Sequence, residues 1–483
     1  MPFEAHGRIA LDAMNETATA ESDLLSALVA AIEDRSAKGI ASATGRLISS
    51  GEITPGTRLP TVRAIAGVLG VSPARVDAAW RILASEGLLE TAGRRGTFAL
   101  GPRAPAGPLR WWSLPGSSNR FKTDLSTGEP DPALLPPLAP VVGRAGERVG
   151  ATANYAGPAL LPELEQLLRV RYRPEPEAIA LASGGLDALD ALLRVTVQFG
   201  DKVIIEEPGY PPALDLIEAH GGVPLPVGLD EEGVRSDALA AALELEPRVL
   251  MLQPVAQNPT GVTMSEARAR ELAGLVRGRR VLVIEDDHAL GLTTRSAANL
   301  AVHAPDETVR VLSFSESYGP DLRLAAILGP ARLLERVLAR RVIGPRWVSR
   351  LLQMILVILL DDPETTRAVE RAWETYADRR ARLAAELSRL GVATGGIEGL
   401  NLWIPVGRER EAVHALAAQS ISVAPGAPFF IRSSHEPHIR VTSGLIAEGH
   451  AELAVAIAGA ARLATPFRSP ETTSLLQHSK GSE

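Results

Sequence analysis

The sequence contains no cysteine and only four lysines, Lys38, Lys122, Lys202 and Lys480. Without cysteine the chain cannot form a disulfide, a thiolate metal site or a cysteine nucleophile. Chemistry that needs a primary amine on a side chain is restricted to the four lysine positions. We expect no metal site.

Long apolar runs are also missing. The most apolar run, Met354–Leu360, is closed by Asp361 and Asp362 and is far too short to span a bilayer. The first 23 residues contain acidic side chains and no apolar core of signal-peptide length. These observations predict a cytoplasmic protein without a membrane partner.

The charge of the chain is distributed unevenly. At 483 residues, with 46% apolar and 22% charged side chains, the chain is long enough for two or more globular domains. Residues 37–100 carry eight basic and four acidic side chains, about +4, whereas the whole chain has a net charge of −7. A basic module on an acidic body is typical of a protein that contacts nucleic acid with one end.

Residues 22–100 have the turn signals of a winged helix-turn-helix, whereas residues 1–20 look unstructured. Helices are predicted at residues 22–35, 40–50 and 60–69, and Gly70 makes a turn after the third. Ser72 can cap the next helix, with Pro73 at its first position. Residues 90–100 then predict a hairpin whose tip carries Arg94 and Arg95.

This segment is similar to the DNA-binding domain of the GntR family over about 60 residues. The matching positions are Pro55-Gly56, Leu59-Pro60, Arg63, Val71-Ser72, Glu86-Gly87-Leu88 and Gly96-Thr97-Phe98. The resemblance implies binding of a double-stranded DNA operator, with the helix from Ser72 in the major groove and the wing directed to the minor groove. It assigns DNA contacts to Arg58, Thr61, Arg63, Ser72, Ala74, Arg75, Arg94 and Arg95.

One departure from the GntR pattern concerns base preference. The family commonly has arginine directly after the matched serine, but this chain has Pro73, with Arg75 two places further on. The alternative interpretation of the segment is a structural trio of helices with solvated arginines.

Beyond residue 100 the sequence changes character. Residues 101–124 are rich in Pro, Gly and Ser and predict an interdomain linker, in which Trp111 and Trp112 dock on a domain or cover an apolar patch. From residue 125, short apolar strands alternate with helices, which is typical of a doubly wound α/β domain. The strand candidates are Ala178–Ala182, Lys202–Glu206, Arg248–Gln253, Val281–Glu285 and Val309–Phe314.

A turn of small residues, Ser183-Gly184-Gly185, precedes the predicted helix Leu186–Val197. Amide groups at such a helix start favour an anion, although most glycine turns bind nothing. Further motifs follow in the order in which they occur in fold-type I aminotransferases, which this region resembles over about 350 residues. The resemblance therefore implies that this turn belongs to the phosphate site of a pyridoxal phosphate (PLP) domain.

The resemblance assigns a role to each motif. Tyr210 in EEPGYP stacks on the pyridine ring, and Asn258 in QNPTG donates to the phenolic oxygen of the cofactor. Asp286 in VIEDDH keeps the pyridine nitrogen protonated, and His288 replaces a frequent tyrosine. Tyr155 reaches the phosphate of the opposite subunit, which implies a dimer, and Arg440 binds a ligand carboxylate. Each residue taken alone could equally be a buried structural polar group.

The segment Val311–Leu324, VLSFSESYGPDLRL, resembles the loop that anchors the cofactor. In the family a Ser-x-Ser-Lys run carries the lysine that forms a Schiff base with PLP, and here Ser313 and Ser315 are followed by Glu316. Arg323 matches the arginine that grips the phosphate as a charged fork. Because a carboxylate cannot form a Schiff base, catalysis is not expected.

Other departures lie close to the missing lysine. The phosphate turn has Gly185 and Leu186 where a small residue and a glutamine are usual, and Leu160 replaces a usual glycine. Leu186 removes a donor and adds bulk. Glu316 near Arg323 would repel a phosphate by about 4 kcal/mol at 4 Å and an effective dielectric near 20.

Together the two halves resemble MocR-type regulators of the GntR family. The predicted fold is α/β, with an N-terminal winged helix-turn-helix and a PLP-dependent transferase-like (aminotransferase fold type I) doubly wound domain with a small C-terminal subdomain. The predicted boundaries are 22–100 for the DNA-binding domain, 101–124 for the linker, 125–466 for the aminotransferase-like domain, about 365–466 for its small subdomain, and 467–483 for a disordered tail.

The architecture predicts a DNA-binding transcriptional regulator that forms a head-to-tail homodimer and senses a ligand without catalysis. Several states of the sensor are open: PLP held only non-covalently, a PLP adduct or a small amine or amino-acid effector, an empty structural pocket, or a site closed by a Glu316–Arg323 pair. The rival functions are a working PLP-dependent aminotransferase and a scaffold that does not bind DNA.

Overall fold

The structure is a computed structural model that divides into two compact units, Met1–Gly107 and Pro108–Glu483. It describes residues 23–49, 52–54, 56–85, 88–93, 96–100, 110, 114, 121–149, 155, 157–198, 200–290, 298–432 and 436–463. The predicted wing tip at Arg94 and Arg95, most of the predicted linker and the predicted tail lie outside the described residues.

The first unit is a small helical core with a hairpin. Residues 23–31 are helical and are followed by the helices Ala37–Ser49, Val62–Leu69 and Pro73–Ser85. The strands Leu89–Thr91 and Thr97–Ala99 pair antiparallel, with Leu89 opposite Ala99. The predicted core face of the last helix is buried, and it consists of Val76, Ala79, Trp80 and Leu83.

Two polar or small residues set the limits of the helix Val62–Leu69. Its start corrects the prediction by two residues, because the Thr61 hydroxyl accepts a hydrogen bond from the Ala64 amide and so caps the helix after Pro60. Gly70 ends it in the left-handed region at φ 66°. The turn predicted at Gly70 is confirmed.

The second unit is built on a mixed sheet covered by helices on both faces. Among the described residues its eight strands run in the spatial order Ala178–Ala182, Ala325–Gly329, Thr308–Ser313, Leu282–Asp287, Val249–Leu252, Lys202–Glu207, Val223–Asp230 and Gly233–Val234. The five predicted strands are all present, with ends shifted by at most two residues. Neighbouring strands from Thr308–Ser313 to Val223–Asp230 are parallel, whereas Ala325–Gly329 is antiparallel to both of its neighbours.

Helices pack on this sheet through three large apolar clusters. The apolar run Met354–Leu360 is buried within the helix Arg350–Asp361 and packs beside the helix Ala139–Val149. Within the described residues, no helix is long and apolar enough to cross a membrane. The remaining helices on or near the large sheet are Pro162–Arg171, Gly185–Thr196, Pro211–Ala219, Ser236–Leu243, Glu266–Val276, Ser315–Tyr318 and Ala331–Val342, with short 3-10 turns at Pro132–Leu134, Leu300–Val302 and Pro320–Leu322.

A smaller sheet forms the other part of this unit. Its described strands lie in the order Leu402–Pro405, His438–Val441, Ile421–Pro425 and Thr123–Leu125. Thr123 and Asp124, which fall in the predicted linker, belong to this sheet because Thr123–Leu125 pairs parallel with Ile421–Val423. The helices Pro363–Arg389, Glu409–Ala417 and His450–Arg462 accompany it, with 3-10 turns at Ala427–Phe429 and Ser443–Leu445.

The parallel strands bring the predicted motifs together. Carboxyl ends of parallel strands meet at one edge of a sheet, and ligands bind at that edge in open α/β folds. The motifs containing Tyr210, Asn258, His288 and Glu316 each lie at or just after such a strand end. Arg440 comes to the same place from the small sheet.

Candidate functional site

A cavity of about 180 Å³ lies at this edge. It is lined by ten of the residues predicted from the motifs, which are Gly185, Tyr210, Asn258, Asp286, His288, Ser313, Ser315, Glu316, Arg323 and Arg440. The turn Thr127–Pro130, together with Leu114, Leu186, Leu189, Gln253 and Pro320, completes the lining. The predicted residues thus form one site, although they are spread over 256 positions of the sequence, from Gly185 to Arg440.

The arginine predicted to hold a phosphate is anchored by the glycine turn. Arg323 has a left-handed backbone, φ 44°, and its Nη2 donates to the Ser183 carbonyl at 3.0 Å. Gly184 has φ 100°, and a Cβ built there would lie 3.0 Å from the guanidinium carbon of Arg323. Ser183 and Gly184 therefore position the guanidinium and do not line the cavity themselves.

Asp187 is a contact of this turn that the sequence motifs did not reveal. Its carboxylate accepts the Ser183 amide at 2.7 Å and pairs with the buried Arg341 at 3.0 Å. The Ser183 amide is consequently engaged within the protein and does not point to a ligand. The only signal in the sequence was an acidic residue in the first turn of a helix, which is common.

Asp286 is the buried carboxylate at the floor of the cavity. It is the penultimate residue of the strand Leu282–Asp287 with 5% exposure, and burial raises its pKa. The side-chain amide of Gln253 donates to Asp286 Oδ2 at 2.8 Å, and Gln253 Oε1 accepts from the Asn258 amide at 2.9 Å. Gln253 thereby orients both residues, and as the first polar residue after a buried strand it could have been predicted.

Arg440 is almost fully buried at 2% exposure. Its guanidinium donates to Asn258 Oδ1 at 3.2 Å and to the Ser126 carbonyl at 2.5 Å, and it lies 5.1 Å from the centroid of the Phe429 ring. Burial lowers the pKa of Arg440 to about 10. Its Nε has no hydrogen-bond partner among the described residues, which leaves a buried donor at the cavity.

Glu316 lies in the short helix Ser315–Tyr318 and is half-buried at the cavity. Burial raises the pKa of this carboxyl group, and the charge of Asp286 raises it further, whereas His288 and Arg440 oppose the shift. Within the described part of the chain, the Glu316 carboxylate has no hydrogen bond or ion pair, and none joins it to Arg323. The structure therefore lacks the Glu316–Arg323 pair that would close the site.

His288 is the third ionisable group of this corner. Burial tends to lower the pKa of its imidazole, but the carboxylates of Glu316, Asp286 and Asp287 together raise it. Its buried Nδ1 has no hydrogen-bond partner in the part of the chain that the structure describes. The imidazole is thus coupled electrostatically to two carboxylates that line the cavity, Glu316 and Asp286.

The donor set fits a vitamin B6 phosphate. Arg323 offers a cation for a phosphate, the half-buried Tyr210 ring offers a stacking surface, and Asp286 offers a carboxylate for a protonated ring nitrogen. The unpartnered Nε of Arg440 and Nδ1 of His288 are buried polar atoms that a polar ligand would satisfy.

No lysine amine lies among the residues that line this cavity. Lys38 belongs to the other unit, Lys122 is exposed, Lys202 donates to the Leu245 carbonyl, and Lys480 lies outside the described residues. The site therefore fits the group in its charges and ring contacts, but it lacks the residue needed for covalent attachment.

Tyr155 does not line this cavity. It is 81% exposed, and its ring meets Trp347 edge-on with centroids 6.0 Å apart. The sequence placed this residue at the site of an opposite subunit, and that placement stays a prediction.

The predicted DNA contacts that the structure describes lie on an exposed surface. Arg58, Arg63, Ser72, Ala74 and Arg75 are all at least partly exposed. Thr61 is exposed as well, but its hydroxyl already accepts the Ala64 amide. The assignment of these residues to DNA stays a prediction, and Arg94 and Arg95 lie outside the described residues.

Both units match known families. Residues 37–99 match the model of bacterial regulatory proteins of the gntR family, and residues 121–457 match that of aminotransferase class I and II. In solved structures, the α-aminoadipate aminotransferase LysN from Thermus thermophilus has the same fold, with a TM-score of 0.63 at 23% identity over 74% of this chain and 99% of that chain. This likeness confirms the predicted fold class.

Two relatives of the whole chain are named as transcriptional regulators. The chain is 31% identical to the vitamin B6 salvage pathway transcriptional repressor PtsJ of Salmonella typhimurium strain LT2, over 80% of this chain and 90% of the relative. It is 27% identical to the HTH-type pyridoxine biosynthesis transcriptional regulator PdxR of Corynebacterium glutamicum, over 70% of this chain and 75% of that protein.

Fold and site together define a class of protein in which an aminotransferase-like domain is joined to a GntR-type DNA-binding domain. The chain belongs to the MocR-type regulators of the GntR family, and it is a DNA-binding transcriptional regulator. Within the described residues, no cluster of three or more acidic or histidine side chains could hold a metal ion.

Proposed function

We propose that the aminotransferase-like domain holds a vitamin B6 phosphate without covalent attachment and does not catalyse transamination. The observation that carries this proposal is that Glu316 lines the cavity. By the resemblance, Glu316 takes the position of the Schiff-base lysine of the family. The names of PtsJ and PdxR, which both concern vitamin B6, support the choice of ligand.

Three cavity residues have a binding role in this proposal. Arg323 would hold the phosphate by its charge and hydrogen bonds, and Tyr210 would stack on the ring. Asp286, oriented by Gln253, would accept a hydrogen bond from the protonated ring nitrogen. PLP supplies catalysis in enzymes through a covalent bond to an amine, and no amine lines this cavity. The ligand is therefore bound and released as an effector.

The effector would act by shifting an equilibrium between two arrangements of a head-to-tail homodimer. A ligand can bias such an equilibrium only through unequal affinity for the two arrangements. The cavity lies between the large sheet and Arg440 of the small sheet, so a bound ligand would contact both parts of the domain. We infer that the protein acts in the cytoplasm, where its operator DNA lies.

DNA contact is tested on the DNA upstream of the protein's own gene. Arg75→Ala should weaken binding and lower the salt dependence by about one counterion, because the exposed guanidinium is expected at the duplex. Fluorescence anisotropy at several salt concentrations measures both quantities. Arg81→Ala is the matched control, since Arg81 lies on the same helix and pairs with Asp77 at 3.4 Å. Equal effects of the two substitutions would contradict the assignment.

Covalent attachment is tested by mixing the protein with PLP, reducing with borohydride and weighing the intact chain. The wild-type chain should gain no stable adduct at the cavity, whereas Glu316→Lys should gain one, because it restores an amine at the matched position. Covalent PLP on the wild-type chain together with turnover of an amino acid would show a working aminotransferase. An unmodified Glu316→Lys chain would show that Leu186 and its neighbours exclude the ligand.

A further inference from the structure

Resting on the proposed function, we propose that the cavity selects the amine form of the ligand, pyridoxamine 5′-phosphate, over the aldehyde form, and that Glu316 is the selecting residue. The missing lysine then marks a change of ligand preference as well as a loss of catalysis. The geometry of one corner of the cavity supports this assignment.

The first observation is the unpartnered state of the carboxylate. Glu316 is half-buried and lines the cavity, yet its carboxylate meets no donor among the described residues. A partly buried carboxylate without a donor is costly unless a ligand supplies one. Its neighbour on the same short helix, Ser315, also lines the cavity, so the open face of this helix is directed to the ligand space.

The second observation is the balance of charge around Glu316. Two carboxylates line this corner, Glu316 and Asp286, and a third, Asp287, is already paired with Arg310 at 3.0 Å. His288 can carry one positive charge, which the two lining carboxylates share. Arg440 is held by Asn258 and by the Ser126 carbonyl. His288 and Arg440 both act on Glu316 by their charge, but among the described residues neither forms an ion pair or a hydrogen bond with its carboxylate, which is left for a cationic group of a ligand.

Pyridoxamine 5′-phosphate, PLP and pyridoxine 5′-phosphate differ at a single substituent of the ring. By the resemblance, the matched lysine meets the carbon that carries the aldehyde of PLP, so Glu316 would face that substituent. In pyridoxamine 5′-phosphate the substituent is an ammonium with three donors and a positive charge, which a carboxylate can accept. The aldehyde of PLP has no donor and no charge, and its oxygen would face a carboxylate. The hydroxymethyl group of pyridoxine 5′-phosphate offers one donor without a charge.

The amine form also agrees with the other residues of the cavity. Arg323 would take the phosphate, Asp286 the ring nitrogen and Glu316 the ammonium, so each of these three charged side chains meets a group of opposite sign. PLP satisfies only the first two contacts. The same corner disfavours an amino acid without the ring, because such a ligand has no ring for Tyr210 to stack on and no ring nitrogen for Asp286.

The experiment is isothermal titration of the full-length protein with pyridoxamine 5′-phosphate, PLP and pyridoxine 5′-phosphate. The amine form should bind about tenfold more tightly than either of the others, as expected for one added charge-assisted hydrogen bond. Glu316→Gln should weaken the amine form by about tenfold and change pyridoxine 5′-phosphate by less than about threefold. Glu231→Gln is the matched control and should leave all three affinities unchanged, since Glu231 is an exposed carboxylate of the same unit that does not line the cavity.

The outcomes separate this inference from the function on which it rests. If all three ligands bind with equal affinity, or if Glu316→Gln weakens all of them alike, the selection by Glu316 is wrong and the proposed vitamin B6 site stands. If none of them binds while DNA binding is intact, both are wrong. The melting temperature of Glu316→Gln should match that of the wild-type chain, which would show that the variant is folded.

Discussion

Glu206 is a buried carboxyl group that contacts the cavity wall through Gln253. Its Oε2 accepts from the Gln253 amide at 3.0 Å and from the Gln257 side chain at 3.4 Å, and it is 5% exposed. Burial raises the pKa of Glu206 to about 8, well above its ordinary value of 4.5. At neutral pH the group is therefore mostly protonated in the folded protein.

This shift predicts a pH dependence of stability. The pKa of Glu206 is higher in the folded than in the unfolded protein. Its stabilising contribution to the free energy of unfolding is therefore fully present below pH 4.5 and is lost as the pH rises through about 8. Glu206→Gln keeps an acceptor oxygen and carries no charge, so it should stabilise the protein at pH 8 by about 2 kcal/mol or more and have little effect at pH 5. Urea unfolding at both pH values measures this difference.

The control for Glu206→Gln is Glu231→Gln, which removes an exposed carboxylate from the same unit. It should leave the difference in unfolding free energy between pH 5 and pH 8 unchanged. A Glu206→Gln protein with the same pH dependence as the wild-type chain would show that Glu206 is ionised in the folded state.

Sequence motifs predicted the residues of the site more completely than their supporting contacts. Tyr210, Asn258, Asp286 and Glu316 each belong to a short run that keeps the family order, and the structure places all four at one cavity. Gly128 belongs to no such run. It approaches Arg440 so closely that a Cβ would lie 2.9 Å from its Nη1, a contact across 312 positions that only the folded chain reveals.

The glycine turn before the helix Gly185–Thr196 positions Arg323, which we propose holds the phosphate. Gly184→Ala should lower the affinity for a vitamin B6 phosphate and destabilise the protein by about 1 kcal/mol or more, because φ 100° is unfavourable for alanine and the methyl group meets Arg323. Titration and urea unfolding measure the two effects.

Gly274→Ala is the matched control for the glycine turn. Gly274 lies within the helix Glu266–Val276, and a Cβ there would have no neighbour within 4 Å. This substitution should stabilise the protein by about 0.5 to 1 kcal/mol and leave ligand affinity unchanged. Wild-type affinity in Gly184→Ala would refute the role of the turn.

At the scale of elements, the parallel strands were predictable and two other strands were not. Buried parallel strands are continuous apolar runs, and Val249–Leu252 is one of them. Ala325–Gly329 is equally apolar, but nothing in its composition indicates that it runs antiparallel between two other strands. Thr123–Leu125 is three residues long and follows a stretch rich in Pro and Gly, so only its pairing with Ile421–Val423 identifies it.

At the scale of the whole molecule, the resemblance predicts that Tyr155 of a second chain completes the site. An aromatic ring that is 81% exposed has a large apolar surface in contact with water, and it lies on a segment that the resemblance assigns to the opposite subunit. If a homodimer covers this ring, the Tyr155 hydroxyl of each protomer can donate to the phosphate held by Arg323 of its partner. Tyr155→Phe should then lower the affinity for a vitamin B6 phosphate by about tenfold, and the protein should stay a dimer.

Mixed dimers decide between a contribution across the interface and one within a chain. The test is a dimer of one Tyr155→Phe chain and one Arg323→Ala chain, each with its own affinity tag. If Tyr155 acts across the interface, one site is intact, because it combines Arg323 of the first chain with Tyr155 of the second. The other site loses both residues. Titration should therefore find wild-type affinity at one site per dimer, whereas both parent homodimers bind weakly. If Tyr155 acted within its own chain, each site would lack one residue and no high-affinity site would remain.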